Sequence, residues 1–250
     1  MADSVKAVTL QVEHLAKIYG RKPVVKDVSF SMETGQIIGL LGPNGAGKTT
    51  MFYMIVGFIR TDKGSILLNH RDVTNLPMYQ RSRLGLSYLP QEPSVFRKLS
   101  VQDNIKLVVE TREDLNKSQK LAVVDELLEE FGIQHIRKQY GYTLSGGERR
   151  RTEIARCLGC NPKFLLLDEP FAGIDPKAVY EIKLLIQKLS NKNIGILLTD
   201  HNVRDTLSIT HRSYIINEGL ILASGERADL LANAEAIRIY FGEEFIEEIR

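Results

Sequence analysis

The chain has 250 residues, with 43% hydrophobic and 26% charged side chains. That is an ordinary globular balance and length enough for a substantial core, which excludes disordered, collagen-like and fibrous chains. Thirty-three basic against 31 acidic residues leave a formal charge of +2, so there is no global electrostatic case for nucleic acid or an anionic membrane surface as the main partner.

In chain order, the first 35 residues read as β structure. Val8, Leu10 and Val12 alternate with polar neighbours, and Val24–Met32 forms a second strand before the turn at Glu33-Thr34-Gly35. Gln36–Leu41 is a short, almost continuous apolar strand that runs into a glycine-rich loop. A helix follows from about Thr49, apolar nearly all round, which predicts burial against a sheet. Three more segments read as buried strands, Gly85–Leu89, Phe164–Leu167 and Ile194–Thr199, with helices between them. Such alternation implies a mostly parallel α/β sheet. The stretch Ser100–Gly159 is largely helical, clearest at Leu121–Phe131, and interrupts the α/β pattern as an inserted subdomain, taken as about residues 92–159 of a single domain spanning 1–250. Two short strands, Ser213–Asn217 and Leu220–Ser224, precede a C-terminal extension of about residues 225–250 with helical character. No apolar run reaches the roughly 18 residues of a membrane helix. The N-terminus lacks the pattern of a secretory signal. Two cysteines are too few for a disulfide scaffold, which fits a reducing cytoplasm.

Gly42-Pro43-Asn44-Gly45-Ala46-Gly47-Lys48-Thr49 fits the pattern G-x-x-x-x-G-K-[ST] and sits between a strand and a helix. Phosphate oxygens need several backbone N–H groups at close range. Glycines permit that approach, and the following helix N-terminus adds partial positive charge. Lys48 can reach the β- and γ-phosphates, and the Thr49 hydroxyl can ligate Mg²⁺. Further on, Phe164–Leu167 carries Asp168 and Glu169 to the C-terminal edge of the sheet, where ligands of α/β folds bind. Asp168 can hold the water shell of Mg²⁺. Glu169 can orient and deprotonate a water for attack on the γ-phosphate.

Between these motifs lies Leu144-Ser145-Gly146-Gly147-Glu148, glycines before a second anion-binding helix N-terminus. With this segment the chain resembles the ATP-binding-cassette (ABC) ATPases across nearly its whole length. The motifs also stand in the family's order: phosphate loop, Gln91, LSGGE, Asp168-Glu169, Asp175, His201. Glu148 stands where glutamine is commoner, and Ala172-Gly173-Ile174 where Ser-Ala-Leu is commoner. The resemblance implies a P-loop NTPase core with a parallel sheet, an N-terminal antiparallel β subdomain and an inserted α-helical subdomain. It implies ATP and Mg²⁺ as ligands, with Gly42 through Thr50 around the phosphates and Tyr19 stacking on adenine. Gln91 would sense Mg²⁺ and the attacking water, His201 would bond the γ-phosphate, and Asp175 would lie at a dimer interface. Two copies would pair head-to-tail, so that Ser145, Gly146 and Gly147 of one face the γ-phosphate held by the other. Within the family, the likeness is to ATPases of lipopolysaccharide export, with Glu92–Lys98, after Gln91, the more discriminating part; branched-chain amino-acid importers and a soluble non-transport ABC protein are the alternatives. Separate integral membrane subunits would then form the transport path and dock near the Gln91 loop, placing the chain on the cytoplasmic face of the inner membrane. Phe96, with Arg97 beside it, is either an anchor for that docking or packed inside its own domain.

Three features read as structural. Cys157 falls on an apolar helical stripe with Ile154 and Leu158 and is taken as a small core residue rather than a zinc or redox site. Arg149-Arg150-Arg151 reads as a solvated helix face. The acidic tail Glu243–Glu248 reads as solvated, while Phe245 and Ile246 are left between packing on their own chain and on a neighbour.

Overall fold

The computed structural model describes residues 7–245. Among them, ten strands form one sheet in the order β5-β4-β1-β2-β10-β9-β3-β8-β7-β6. Its parallel part consists of β3 (Ile37–Leu41), β6 (Leu86–Leu89), β7 (Phe164–Asp168), β8 (Gly195–Thr199) and β9 (Arg212–Asn217). Its antiparallel part consists of β1 (Thr9–Tyr19), β2 (Lys22–Glu33), β4 (Lys63–Leu68) and β5 (Arg71–Asp72). The two parts meet through β10 (Leu220–Gly225), which is antiparallel to β9 and touches β2 at Leu220 and Asp27. The expected class therefore holds: a parallel α/β core with an antiparallel β region at one side.

The central strands read as unbroken apolar runs because both faces of the sheet are covered. Successive residues of β7 serve different cores. Leu165 and Leu167 face a core shared with α3 (Val101–Val109), α4 (Lys117–Glu130), α5 (Gly146–Leu158) and α6 (Pro176–Asn191). Phe164 and Leu166 face another, shared with α1 (Lys48–Val56) and the antiparallel strands. In β8, Ile196 and Leu198 go to the first core and Leu197 to the second. Helix α1 is apolar all round because it lies inside that second core; Met51, Phe52, Met54 and Ile55 are fully buried. A third cluster packs the C-terminal segment onto Leu41, at the end of β3, and onto Leu207 of α7 (Val203–Ile209).

Between α1 and β6 the sequence pattern marks no element, yet the chain forms β4, β5 and α2 (Met78–Arg83). The reason is visible in α2. It has no apolar stripe, and its buried residue is a cation, Arg81. The guanidinium donates to the carbonyls of Met54 (2.7 Å) and Ile55 (2.7 Å) in the last turn of α1, and to those of Thr74 (2.7 Å) and Leu76 (2.8 Å). The carbonyls of Met54 and Ile55 are among the acceptors that a helix C-terminus leaves, and Met54 O also accepts from Gly57 N at 3.2 Å. Burial pushes the Arg81 pKa down to about 10, with Asp72 opposing the shift. It stays cationic and complements the helix dipole.

Arg81→Met removes the side-chain donors from four carbonyls, of which Met54 O keeps the Gly57 N–H. We expect it to lower the unfolding free energy by about 3 kcal/mol in urea denaturation, with Arg81→Lys recovering less than half, since an ammonium cannot span acceptors on two segments.

Candidate active site

The phosphate loop follows from its glycines. Gly42 has φ 149°, and a Cβ there would lie 2.1 Å from the Ile216 carbonyl; Gly47 has φ 106°, with the Val24 carbonyl 2.8 Å from any Cβ. Neither position has room for a side chain. Gly47 caps α1 without a side-chain bond, so the first-turn N–H groups stay available for an anion. Lys48 is buried and donates Nζ to the carbonyls of Gly42 (2.7 Å) and Pro43 (3.0 Å). Burial lowers its pKa, while Glu169 and Asp168 raise it. Ala46 is buried in the loop. Val24, Asn44, Gly45, Gly47, Lys48, Thr49, Thr50, Glu169 and His201 line a cleft of about 170 Å³.

Strand β7 ends at Asp168 and is followed by Glu169, which lines the same cleft; the two acids sit in different environments. Asp168 is 1% exposed. Its Oδ2 accepts a hydrogen bond from the Tyr88 hydroxyl at 3.2 Å, and its Oδ1 is buried without a partner. Burial pushes its pKa up to about 6, with the Tyr88 hydrogen bond and Lys48 pulling the other way. Glu169 sits one residue on at φ 47°, the left-handed region. Its Oε1 pairs with His201 Nε2 at 2.7 Å, and its Oε2 accepts from Gln91 Nε2 at 2.7 Å. Thus Gln91, Glu169 and His201, spread over 110 residues of sequence, meet on one carboxylate.

Arg150 corrects the reading of the basic run as a solvated face. It is 5% exposed and donates to the carbonyls of Pro90 (3.0 Å), Asp168 (3.1 Å), Glu169 (2.7 Å) and Pro170 (3.1 Å). It also pairs with Glu153 at 3.3 Å, whose Oε1 accepts from the N–H groups of Ser94 and Val95. Burial lowers the Arg150 pKa, and Glu153 is the first group to oppose this. Arg151 pairs with Glu181 of α6. A signal was present in the sequence: Arg150 lies four residues before Ile154 and seven before Cys157, on the buried stripe of α5. Asp200 also escaped notice. Its carboxylate accepts from the N–H groups of Phe171 (3.0 Å) and Asn202 (2.9 Å), joining the turn after Glu169 to the segment after His201. The Cys157 thiol, pushed up to about 12 by burial, packs against the first core and donates weakly to the Tyr88 carbonyl.

Other expected residues lie elsewhere. Helix α5 starts at Gly146, and Ser145 caps it. Ser145 and Glu148 form a capping box: the Glu148 carboxylate accepts from Ser145 N (2.9 Å) and Oγ (2.6 Å). Gly146 packs near Gly173 and Ile174, and a Cβ on Gly147 would meet Ala178 at 2.9 Å. None of these three lines the cleft that holds Lys48. Tyr19 does not line it either; its ring is 49% exposed, with Lys17 Nζ at 5.7 Å from the ring centre. Asp175 caps α6 by accepting from Ala178 N at 3.0 Å. Phe245 stacks on Phe241 within its own chain, centroids 5.5 Å apart, while Ile246 lies outside the described residues.

A glycine phosphate loop on a parallel sheet, facing a buried aspartate and a polar glutamate, defines a P-loop nucleotide-binding site. The family model described as ABC transporter matches residues 25–172. The chain is 52% identical over 236 residues, 94% of its own length and 98% of the relative's, to the lipopolysaccharide export system ATP-binding protein LptB of Haemophilus influenzae. To the Escherichia coli K12 protein of the same description it is 51% identical, covering 95% of this chain and 98% of that one. A solved ATP-binding cassette of an ABC transporter in its ADP conformation superposes with TM-score 0.83 at 27% identity, covering 94% of this chain and 99% of the other. The chain belongs to the ABC transporter family, as a subunit that binds and hydrolyses ATP.

Arg150→Lys keeps the charge but loses the fork that reaches four carbonyls. We expect kcat for ATP hydrolysis to fall at least tenfold with ATP affinity changed less than threefold, measured by phosphate release and equilibrium binding.

Proposed function

We propose that the chain is the ATPase of a membrane transporter that extracts and exports lipopolysaccharide. What carries this reading is the identity of about half the residues, over nearly the whole chain, to proteins described as the ATP-binding component of lipopolysaccharide export. Among the described residues no helix is long and apolar enough to cross a membrane. The transport path then belongs to integral membrane subunits, and this chain sits against them on the cytoplasmic face, where ATP is.

In this reading the N–H groups from Gly42 to Thr50 and the Lys48 ammonium hold the phosphates, and Tyr19 stacks on adenine. Glu169 is the base that takes the proton from the attacking water. His201 donates to the γ-phosphate as charge develops, and Gln91 orients the water. The donor set also fits Mg²⁺. Asp168 Oδ1 is a buried acceptor with no protein partner, Thr49 lies in the cleft, and Gln91 stands at its edge. No group of three or more His, Cys, Asp or Glu residues that could cage a metal occurs among the described residues, as suits an ion held mainly by phosphates and water. When bound, Mg²⁺ neutralises charge between the β- and γ-phosphates.

The cleft is lined from one side of the chain, and the α5 N-terminus at Ser145 is not part of that lining. A second copy placed head-to-tail would bring its own Ser145, Gly146 and Gly147 to the γ-phosphate, which supports an ATP-sandwiched homodimer. Phe96 supports docking on membrane subunits. It is 47% exposed, with the Arg156 guanidinium 5.2 Å from the ring centre. Buried Asn104 fixes its backbone through Phe96 N (2.8 Å) and O (3.1 Å). An aromatic ring beside a cation, presented from a rigid backbone, is a favoured anchor.

Glu169→Gln should bind ATP, hydrolyse it at least a hundredfold more slowly and elute as a dimer in gel filtration with ATP. A monomer under those conditions would refute the sandwich. Phe96→Ala should keep ATPase activity of the isolated chain within twofold while integral proteins no longer co-purify with a tagged copy. If the co-purifying proteins of the unaltered chain bind amino acids and not lipopolysaccharide, the cargo assignment fails.

A further inference from the structure

Tyr88 has no part in the motifs discussed so far, yet it touches the metal carboxylate. It lies on β6, opposite Leu166 of β7 and three residues before Gln91. Its ring is held edge-on by three others: Phe52 (centroids 6.3 Å, 66°), Tyr53 (6.1 Å, 84°) and Phe58 (6.0 Å, 81°). Phe52 and Tyr53 belong to α1, the helix whose first residues are Lys48 and Thr49. Edge-to-face packing on several sides leaves the ring little freedom and fixes where its hydroxyl lies. That hydroxyl meets Asp168 Oδ2 at 3.2 Å. The other oxygen, Oδ1, is buried and without a protein partner. The two oxygens of one buried carboxylate are thereby made unequal.

We propose that Tyr88 is a positioning residue for Asp168: its hydroxyl holds Oδ2, reserves Oδ1 for the Mg²⁺ water shell, and through its ring sets that orientation relative to the phosphate-loop helix. This rests on the assignment of Asp168 to Mg²⁺ made above. Groups hydrogen-bonded to a metal-binding carboxylate set its orientation, and losing one typically weakens metal affinity about ten- to a hundredfold. Asp168 acts through water, so the lower end of that range applies. The ring is an equally necessary part. A hydroxyl on a mobile side chain would follow the carboxylate instead of directing it. Because the ring packs on α1, the carboxylate's setting is referred to the same helix that presents Lys48 and Thr49.

The test is binding of a fluorescent ATP analogue to the full chain, titrated with Mg²⁺ and repeated in EDTA, on Tyr88→Phe, Asp168→Asn and the double variant. Tyr88→Phe keeps the ring packing and removes one oxygen. The Mg²⁺ concentration for half-maximal enhancement of binding should rise about tenfold, while binding in EDTA stays within twofold. In the Asp168→Asn background the tyrosine change should have no further effect. An unchanged Mg²⁺ midpoint, an equal loss in Mg²⁺ and EDTA, or additive effects in the double variant each overturn the proposal. If Asp168→Asn itself leaves the Mg²⁺ dependence intact, the underlying assignment of the metal site fails instead, which separates the two claims. Should Tyr88→Phe not fold, Phe58→Leu provides the alternative: loosening the aromatic box should move the Mg²⁺ midpoint in the same direction, and no movement would count against the role of the ring.

Discussion

The arrangement of this molecule depends on one buried cation. Arg150 is taken out of water in the middle of the chain, a cost of several kcal/mol unless every donor finds an acceptor. Its acceptors are not one motif but three. Pro90 leads into Gln91, Asp168 through Pro170 is the end of the acidic strand, and Glu153 holds the backbone of Ser94 and Val95. The guanidinium thus ties the helix that begins at Ser145 to the strand that ends in the acids and to the loop that presents Phe96. These parts are distant in sequence and need not otherwise move together. A lysine or an apolar residue could fill the volume but could not satisfy carbonyls in four places, so the cation is a connector before it is a charge.

The same logic explains why some of this structure was open to inspection in the sequence and some was not. Strands β3, β7 and β8 are covered on both faces, so they appear as apolar runs without alternation. The phosphate loop shows itself because only glycine avoids the Ile216 and Val24 carbonyls at Gly42 and Gly47. Asp168 and Glu169 were legible because they stand at the end of a buried apolar strand, whereas Gln91 and His201 were legible through the family's motif order, each after a strand at that same sheet edge. The segment with β4, β5 and α2 was illegible because its organising residue is Arg81, which seals backbone carbonyls; a periodicity test sees no apolar face there. Arg150 was hidden by its neighbours. In a run of three arginines the pattern invites a solvated face, and only helical phase relative to Ile154 distinguishes the middle one. Tyr88 was invisible for a different reason. Its partner is on an adjacent strand 80 residues away, and pairing of β6 with β7 in register is not a local property.

The two acids divide their work by backbone and burial. Asp168 ends a regular strand, so its side chain stays inside, shielded and held by a single hydroxyl. Glu169 adopts a left-handed conformation that costs a non-glycine residue about 1–2 kcal/mol. The strain is held in place by the Thr199 carbonyl, which accepts from Glu169 N at 2.8 Å, and by Arg150, which donates to Glu169 O at 2.7 Å. The reversal of direction turns the Glu169 side chain out of the sheet, into the cleft with His201. One strand end therefore delivers two adjacent buried carboxylates of which Glu169 lines the cleft and Asp168 does not.

That geometry also constrains how the site can work. Each Glu169 oxygen already has one partner, Gln91 on one and His201 on the other, so a water that is to lose its proton to Glu169 must share an oxygen with one of them or displace it. Both partners are exposed side chains on segments between elements, whereas Glu169 is fixed at its N–H and its carbonyl. The carboxylate is the stationary part and its partners are the movable ones. Gln91 leads into the loop that carries Phe96, so one Glu169 oxygen is bonded directly to the segment that presents that ring. His201 lines the cleft together with Lys48, the position from which it would meet the γ-phosphate under the proposed function. Under the proposed function, exchange of a hydrogen bond on this one acid would let hydrolysis depend on both the bound nucleotide and the docked partner, without requiring the acid itself to move.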